Sequence, residues 1–582
     1  MKSFEVQEPL QKSIEGFAQS NPSLAVVSED RVFYRAGDKS QVALISGGGA
    51  GHEPAHAGFI GKGMLTGAVV GDIFASPSTR QILHGIKLIA KDSNGILLIL
   101  MNYTGDVLHF GLSAERARAL GIDCRVIAVG DDVAVGREKG GKVGRRGLAG
   151  TILVEKLTGA FVTRFAGQHN LADAYKVADI SRNALVTIGS SIDHCKVPGR
   201  KFESELGENS MELGMGIHNE PGAHVLTPIP ATEDLIENQM LPKLLDPSDK
   251  DRYFVPFEKD DEVVLLVNNL GGVSNLIMSS IAAITTDLLK KKYGIVPKQT
   301  ITGCLMTSFN MDGFSITLMN VSKISKEMKA AFPDKEIDVM QLLRDPTDAP
   351  GWPISSYELP PTVDHELLKD EEIPHGVGHY DFDSFAKWMK GAAANVEKEE
   401  PRITQLDTLV GDGDCGYTLL AGCKGITDNL DKISKTHLSS AMDKISEYVE
   451  ASMGGTSGGL YSILISGFVH GLQATCKDSS EKVTPEVLAK SFQIALDTLY
   501  HYTNARPGAS TMIDALVPFI DEFAKTHDFK KAVEAADKGA QSTADIVAEF
   551  GRASYVENSQ GIPDPGAVGL VAFLKGVEGT MQ

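Results

Sequence analysis

The chain has little of what marks secreted, membrane-embedded or nucleic-acid-binding proteins. Its 582 residues include only six cysteines (Cys124, Cys195, Cys304, Cys415, Cys423 and Cys476), and no two form a Cys-x-x-Cys pair. That pattern predicts free thiols in a reducing compartment, with neither a disulfide framework nor a thiolate zinc site. Positive charge is in deficit: 56 Lys and Arg face 76 Asp and Glu, a formal net charge of -20. No surface is therefore expected to hold a nucleic-acid backbone by bulk electrostatics, although a small anion needs only a local pocket. Long apolar runs are also missing. The longest strong one, Ile96 to Met101, is strand-sized against the ~20 residues of a membrane-spanning helix, so no membrane partner is expected. The first residues, Met1 to Glu8, hold no apolar signal region, and the closing Gly-Thr-Met-Gln is neither a lipidation nor a peroxisomal signal. The expected location is cytoplasmic.

What is present divides into two kinds of sequence. From residue 1 to about 340, short β-branched runs alternate with Gly-rich turns and helix-length segments; examples are Val42–Ser46, Ile96–Met101, Arg125–Val129 and Val263–Val267. Runs this apolar predict strands buried on both faces in an α/β half. Two subdomains are expected, roughly 1–180 and 181–340. Residues 341–379 contain Asp345-Pro-Thr-Asp-Ala-Pro-Gly-Trp-Pro353 and Pro360-Pro361, and proline blocks helix hydrogen bonding, so this stretch reads as a linker. Beyond it, Phe382, Phe385, Trp388, Met389, Ala392, Ala393 and Val396 follow a helical period. Residues 380–582 are expected to form an all-α domain.

The most informative stretch lies near the start of that domain: Asp407-Thr-Leu-Val-Gly-Asp412-Gly-Asp414-Cys-Gly416. Three carboxylates at i, i+5 and i+7, with glycines between them, can converge on one point. Carboxylates without His or thiolate partners suit a hard cation, Mg²⁺ or Ca²⁺, and bound Mg²⁺ is usually completed by substrate phosphates. The same residues also fit an Asp/Gly-rich surface turn.

Three glycine-rich segments are candidate phosphate loops. Gly47-Gly-Gly-Ala-Gly51 follows an expected strand, but His52 or Pro54 stands where the third glycine of a dinucleotide fingerprint belongs. Gly136-Arg-Glu-Lys-Gly-Gly-Lys142 is followed by Val143, which lacks the hydroxyl a P-loop uses, so a basic flexible surface loop is expected. Met453-Gly-Gly-Thr-Ser-Gly-Gly459 separates one helix ending near Ser452 from another beginning near Leu460. Glycines before a helix expose amides that favour phosphate oxygens, with Thr456 and Ser457 adding hydroxyls; an ordinary capped helix–helix turn fits equally.

Several of these segments coincide with a known family. Ser46-Gly-Gly-Gly-Ala-Gly-His-Glu-Pro54, Asn102-Tyr-Thr-Gly-Asp106, Gly214-Met-Gly-Ile-His-Asn-Glu-Pro-Gly222, Val410-Gly-Asp-Gly-Asp-Cys-Gly416 and Asp564-Pro-Gly-Ala567 appear in order across both halves. The chain resembles, end to end, the single-chain ATP-dependent dihydroxyacetone kinases (triokinases) of eukaryotic type. The resemblance implies a dihydroxyacetone-binding α/β half at 1–340 and an ATP-binding helical barrel at 380–582, working in glycerol metabolism and dihydroxyacetone detoxification. It implies that His218 attacks the ketone of dihydroxyacetone or glyceraldehyde to form a covalent hemiaminal. Gly49, Ala50, Gly51, His52 and Asp106 would line the substrate, with His52 and Asp106 as the acid/base pair. Asp407, Asp412 and Asp414 would hold Mg²⁺ on ATP. Cys415, Gly416, Tyr417, Thr418, Thr456, Ser457, Thr503, Met512, Arg552, Asp564, Pro565 and Gly566 would contact the nucleotide. A homodimer is implied as well. Members commonly carry Lys immediately before Asn-Tyr-Thr-Gly-Asp, in contact with substrate; Met101 stands there in this chain, removing a donor and a charge. Two other readings stay open: cyclisation of FAD to a cyclic flavin phosphate and AMP at the nucleotide site, and a non-catalytic triose sensor.

Overall fold

The computed structural model describes residues 6–198, 206–354, 361–368, 376–548 and 560–581. The chain divides into two units, Met1–Pro361 and Thr362–Gln582.

The first unit holds two six-stranded sheets. One is built from β1 (Ala25–Val27), β2 (Val32–Tyr34), β3 (Ala43–Ala50), β4 (Gly67–Ile73), β5 (Ile96–Met101) and β6 (Cys124–Val129) in the order β1-β2-β4-β3-β5-β6. Its β4, β3, β5 and β6 run parallel. Strand β5 is buried along its whole length, and its side chains divide by the two-residue period of a strand. Ile96, Leu98 and Leu100 join the core beneath helices Thr79–Ala90 and Thr104–Ala119. Leu97, Ile99 and Met101 join the core beneath helix Gly150–Arg164. From β3 the chain goes to β4 on one side and then to β5 on the other. The carboxyl ends of β3, β4 and β5 therefore open at a topological switch point, where α/β sheets bind ligands.

The second sheet comprises β7 (Leu185–Ser191), β8 (Met211–Leu213), β9 (His224–Leu226), β10 (Val263–Asn269), β11 (Gln299–Gly303) and β12 (Gly313–Asn320), ordered β11-β10-β12-β7-β8-β9. It is mostly antiparallel, with only β10 and β11 parallel. Helix Gly150–Arg164 is buried from Gly150 through Val162 and touches strands of both sheets. A helix apolar on nearly every side is stable only when enclosed in this way.

Three local expectations change. The glycines Gly47–Gly49 are strand, not turn, because they pair with β4 at Gly47↔Val69 and Gly48↔Val70. The basic segment after Gly136 is pinned: Arg137 lies 4.2 Å from the Phe254 ring centroid and donates to the carbonyls of Lys250 and Tyr253. The linker begins later than residue 341. Helix Val339–Arg344 and the segment up to Trp352 belong to the first unit, with Leu342, Leu343, Ala349 and Trp352 in its core. Prolines stop helix formation there without preventing packing, and the Gly351 amide donates to the Gly58 carbonyl at 2.7 Å.

Apart from isolated bridges of His379 with His437 and Lys482, the described secondary structure of the second unit is helical. Eight helices run Phe382–Val410, Cys415–Thr427, Leu438–Ser452, Gly455–Thr475, Pro485–Tyr500, Ile513–Thr526, Phe529–Ser542 and Pro565–Thr580. Each packs against the next, and the last packs against the first, closing a ring. In an up-and-down ring alternate helices begin at the same end. The loops before Cys415, Gly455, Ile513 and Pro565 therefore share one rim. That rim carries the positive ends of four helix dipoles.

Candidate active site

In the first unit, the β8–β9 connection brings His218 to the carboxyl end of β3. His52 Nε2 and His218 Nε2 lie 3.1 Å apart. The His218 ring is walled by Phe74 after β4 (centroids 5.0 Å) and Tyr103 after β5 (4.9 Å), both edge-on. Phe74 also stacks on His52 at 5.1 Å. The β8–β9 loop is held in place by Arg146, which pairs with buried Asp132 and donates to the Gly214 carbonyl. At Gly216 a β-carbon would displace the Glu220 carboxylate and the Arg146 guanidinium that pack against it. Gly51 has φ +105°, and a β-carbon there would meet the rings of Phe309 and Phe74 at 2.6 and 2.7 Å.

The hydrogen bonds fix the protonation of this pair. His52 Nδ1 lies 2.7 Å from the Thr307 carbonyl oxygen, which can only accept, so Nδ1 carries hydrogen. His218 Nδ1 lies 3.0 Å from Glu220 Oε1, and the His218 amide donates to Glu220 Oε2 at 2.9 Å. Burial opposes ionisation of Glu220, but the hydrogen bonds and charge of His218 outweigh it and hold the carboxyl at about 2. Glu220 is thus an acceptor, and His218 Nδ1 also carries hydrogen. Burial, then the neighbouring His218, pushes His52 down to about 3, so His52 is held neutral and its Nε2 is the acceptor in the contact with His218 Nε2.

Asp106 is in the first turn of helix Thr104–Ala119 and is 6 % exposed. Burial raises its pKa, opposed by the Ser76 side chain and then by His56, His218 and His109. Gly48 lies under it, a β-carbon there reaching the carboxylate at 3.8 Å. Gly49 and Ala50 end β3, and Met101 is buried at the end of β5.

In the second unit, Asp407 lies in the last turn of the first helix of the ring, and Asp412 and Asp414 occupy the following loop. One ligand oxygen from each lies within 4.8 Å of the others, with Asp407 buried and the other two exposed. The Asp414 and Cys415 amides donate to Asp407 Oδ2 at 2.9 and 3.0 Å, which aims that carboxylate across the loop. An all-oxygen donor set of this charge fits Mg²⁺.

Cys415, Gly416, Tyr417 and Thr418 form the first turn of the next helix. Thr456 and Ser457 lie in a first turn too, since that helix begins at Gly455, five residues earlier than Leu460. Glycine tolerates the first helical turn, where its amides are unpaired anyway. Thr503 accepts from the Ala505 amide, Met512 is buried just before the helix from Ile513, and Asp564, Pro565 and Gly566 start the last helix. Electrostatics tie these segments together: burial pushes the Cys415 thiol up to about 12, with Asp407, Asp564, Asp414 and Asp412 adding to it. Arg552 lies outside the described residues.

The residues that sequence reasoning did not assign are Glu220, Phe74, Tyr103, Thr307 and Phe309. Glu220 stood two places from His218 in the same motif, a spacing that a loop can close.

Comparison with known proteins matches a Dak1 domain over residues 15–381 and a DAK2 domain over residues 409–579. The chain belongs to the dihydroxyacetone kinase family. It is 63% identical to dihydroxyacetone kinase 1 of Saccharomyces cerevisiae over 582 residues, 100% of both chains. It is 34% identical to a triokinase/FMN cyclase of Rattus norvegicus, covering 98% of this chain and 96% of that one. Among solved structures it is similar to the dihydroxyacetone kinase from C. freundii in complex with AMP-PNP and Mg²⁺, with TM-score 0.67, 30% identity and 99% coverage of both chains.

Asp564 yields a first test. It caps the last helix, accepting from the Ala567 amide at 2.6 Å. Burial, opposed by that amide and reinforced by Asp514 and Asp407, pushes its carboxyl up to about 7. An unfolded aspartate titrates near 4. Between about pH 4 and 7 the folded state therefore binds the extra proton, and stability falls as pH rises through that window. Metal-free Asp564→Asn should keep the cap and lose this slope. Thermal unfolding of the full chain at pH 5 and pH 7 checks it; parallel slopes for both proteins would contradict the assignment.

Proposed function

We propose that the chain transfers the γ-phosphoryl group of ATP to a hydroxyl of dihydroxyacetone, and of glyceraldehyde, in the cytoplasm as a homodimer. In this reading residues 1–340 carry the triose site, with subdomains 1–180 and 181–340, and residues 380–582 carry the nucleotide. The observation that carries it is the His52–His218–Glu220 chain of hydrogen bonds, which prepares one imidazole nitrogen for a carbonyl carbon.

Attack by His218 Nε2 requires its lone pair. The Nε2 proton passes to His52 Nε2 and on to the ketone oxygen as the N–C bond forms and the carbonyl π pair becomes a hydroxyl. Nδ1–H stays on Glu220, and charge is conserved throughout. The covalent hemiaminal fixes the triose, with Gly49, Ala50 and Gly51 beneath it. Asp106 then takes the proton of the hydroxyl that attacks phosphorus. Asp407, Asp412 and Asp414 would hold Mg²⁺, which when bound neutralises phosphate charge. The first turns at Cys415–Thr418, Thr456–Ser457 and Asp564–Gly566, with Thr503, Met512 and Arg552, would receive the nucleotide; helix-start amides favour its phosphates.

A second activity is favoured by one observation, the 34% identity to a relative named as both triokinase and FMN cyclase. Both readings meet one experiment. With Mg·ATP and dihydroxyacetone, ADP and triose phosphate should form in equal amounts; with FAD replacing both, AMP should appear if the cyclase reading holds. No ADP with either triose would overturn the kinase assignment.

A further inference from the structure

Behind the triose site lies a pair of buried titratable groups that the mechanism above does not use. His56 Nδ1 is 2.7 Å from Glu155 Oε1, with His56 5 % exposed and Glu155 fully enclosed. Glu155 belongs to the central helix Gly150–Arg164, between the two sheets. His56 follows the segment that carries His52. Five buried polar atoms around this pair lack a hydrogen-bond partner among the described residues: His56 Nε2, Glu155 Oε2, Asp106 Oδ1 and the hydroxyls of Thr151 and Thr158. Thr151, Glu155 and Thr158 are spaced i, i+4, i+7, so they line one face of the helix. Native interiors leave few such atoms unpaired, and a polar stripe within an apolar helix costs stability unless it has a use.

We infer that the Glu155–His56 pair is a positioning element for Asp106, with Glu155 orienting the imidazole so that Nε2 serves the unpartnered Asp106 oxygen through a bridging water. The chemistry is that of a carboxylate–imidazole pair, where the bond at one nitrogen decides what the other can do. Burial alone favours neutral Asp106, which could not accept a proton from the triose hydroxyl. Of the three histidines acting on Asp106, His56 is the strongest, ahead of His218 and His109, and all three favour its ionised form. His56 also acts on His52, disfavouring charge there. Both influences favour neutral His52 and ionised Asp106. The inference rests on the kinase reading, in which Asp106 is the base.

The test uses two variants of the full-length protein. His56→Asn keeps a donor where Nδ1 stood, and so keeps the bond to Glu155, but removes Nε2. Glu155→Gln keeps the accepting oxygen and removes the charge. For His56→Asn we expect kcat to fall by on the order of 10²-fold, with dihydroxyacetone affinity near wild type and some loss of melting temperature as buried Glu155 loses its imidazole. The acidic limb of its kcat–pH profile should move to higher pH, so that activity recovers as Asp106 ionises. Glu155→Gln should move both quantities in the same direction by less, and it serves alone if His56→Asn does not fold. Unchanged kcat, or loss of kcat together with triose binding and melting temperature without a shift of the acidic limb, would overturn the inference. A wild-type protein that makes no ADP would instead overturn the kinase reading on which it rests.

Discussion

His218→Ala is expected to lower kcat with dihydroxyacetone by at least about 10³-fold, as loss of a covalent nucleophile does, while Mg·ATP binding stays unchanged. The rings that wall His218 would remain, as would the Thr307 carbonyl that fixes His52. Glu220, left without its imidazole, would be a half-buried carboxylate lacking its main counter-charge, so some loss of stability should accompany the change. Steady-state kinetics and nucleotide titration check the two halves of the expectation. A variant with more than about a tenth of wild-type kcat would show that covalent capture contributes little to the barrier.

Asp412→Asn and Asp414→Asn should each lower kcat by on the order of 10²-fold or more, since a bound cation stabilises phosphoryl transfer by several kcal/mol. Triose affinity should be unchanged, because these residues lie in the other unit from His218. Both side chains are exposed, and removing one charge relieves repulsion within the cluster. The Asn variants should therefore melt at or above the wild-type temperature without metal and gain less from Mg²⁺. Calorimetric titration of triose and of Mg·ATP, done separately, decides the matter. Lost triose affinity with normal ATP binding would assign the cluster to the sugar site and refute the division of labour between the units.

Much of this arrangement was legible in the sequence, for reasons that differ by element. The continuous apolar run of β5 could only be a strand buried on both faces, and its alternate residues do enter two separate cores. The three aspartates were visible as a cluster because all their ligands lie within eight residues of chain, so local geometry alone brings them together. Glycines misled in two places. Gly47–Gly49 read as a phosphate-type loop after the strand Val42–Ser46, but pairing with β4 extends that strand through them. Gly455 opens a helix that was expected to start at Leu460, because the first amides of a helix need no partner within it. The walls of the triose site were not legible. Phe74, Tyr103 and the pair Thr307 and Phe309 come from three separate connections, and only the packing of two sheets around one helix brings them to His218. The buried Glu155 was hidden for a related reason: in an apolar helix it reads as a solvent-facing residue, and only tertiary enclosure turns it inward.

The central claim is that an imidazole nitrogen of this chain bonds the triose carbon. A crystal structure of the full-length protein soaked with dihydroxyacetone tests it most directly. Density continuous from His218 Nε2 to a tetrahedral C2, with the new hydroxyl within hydrogen-bonding reach of His52 Nε2, is the predicted result. A planar ketone resting against His218 at van der Waals distance, in a crystal whose enzyme turns over, would contradict it.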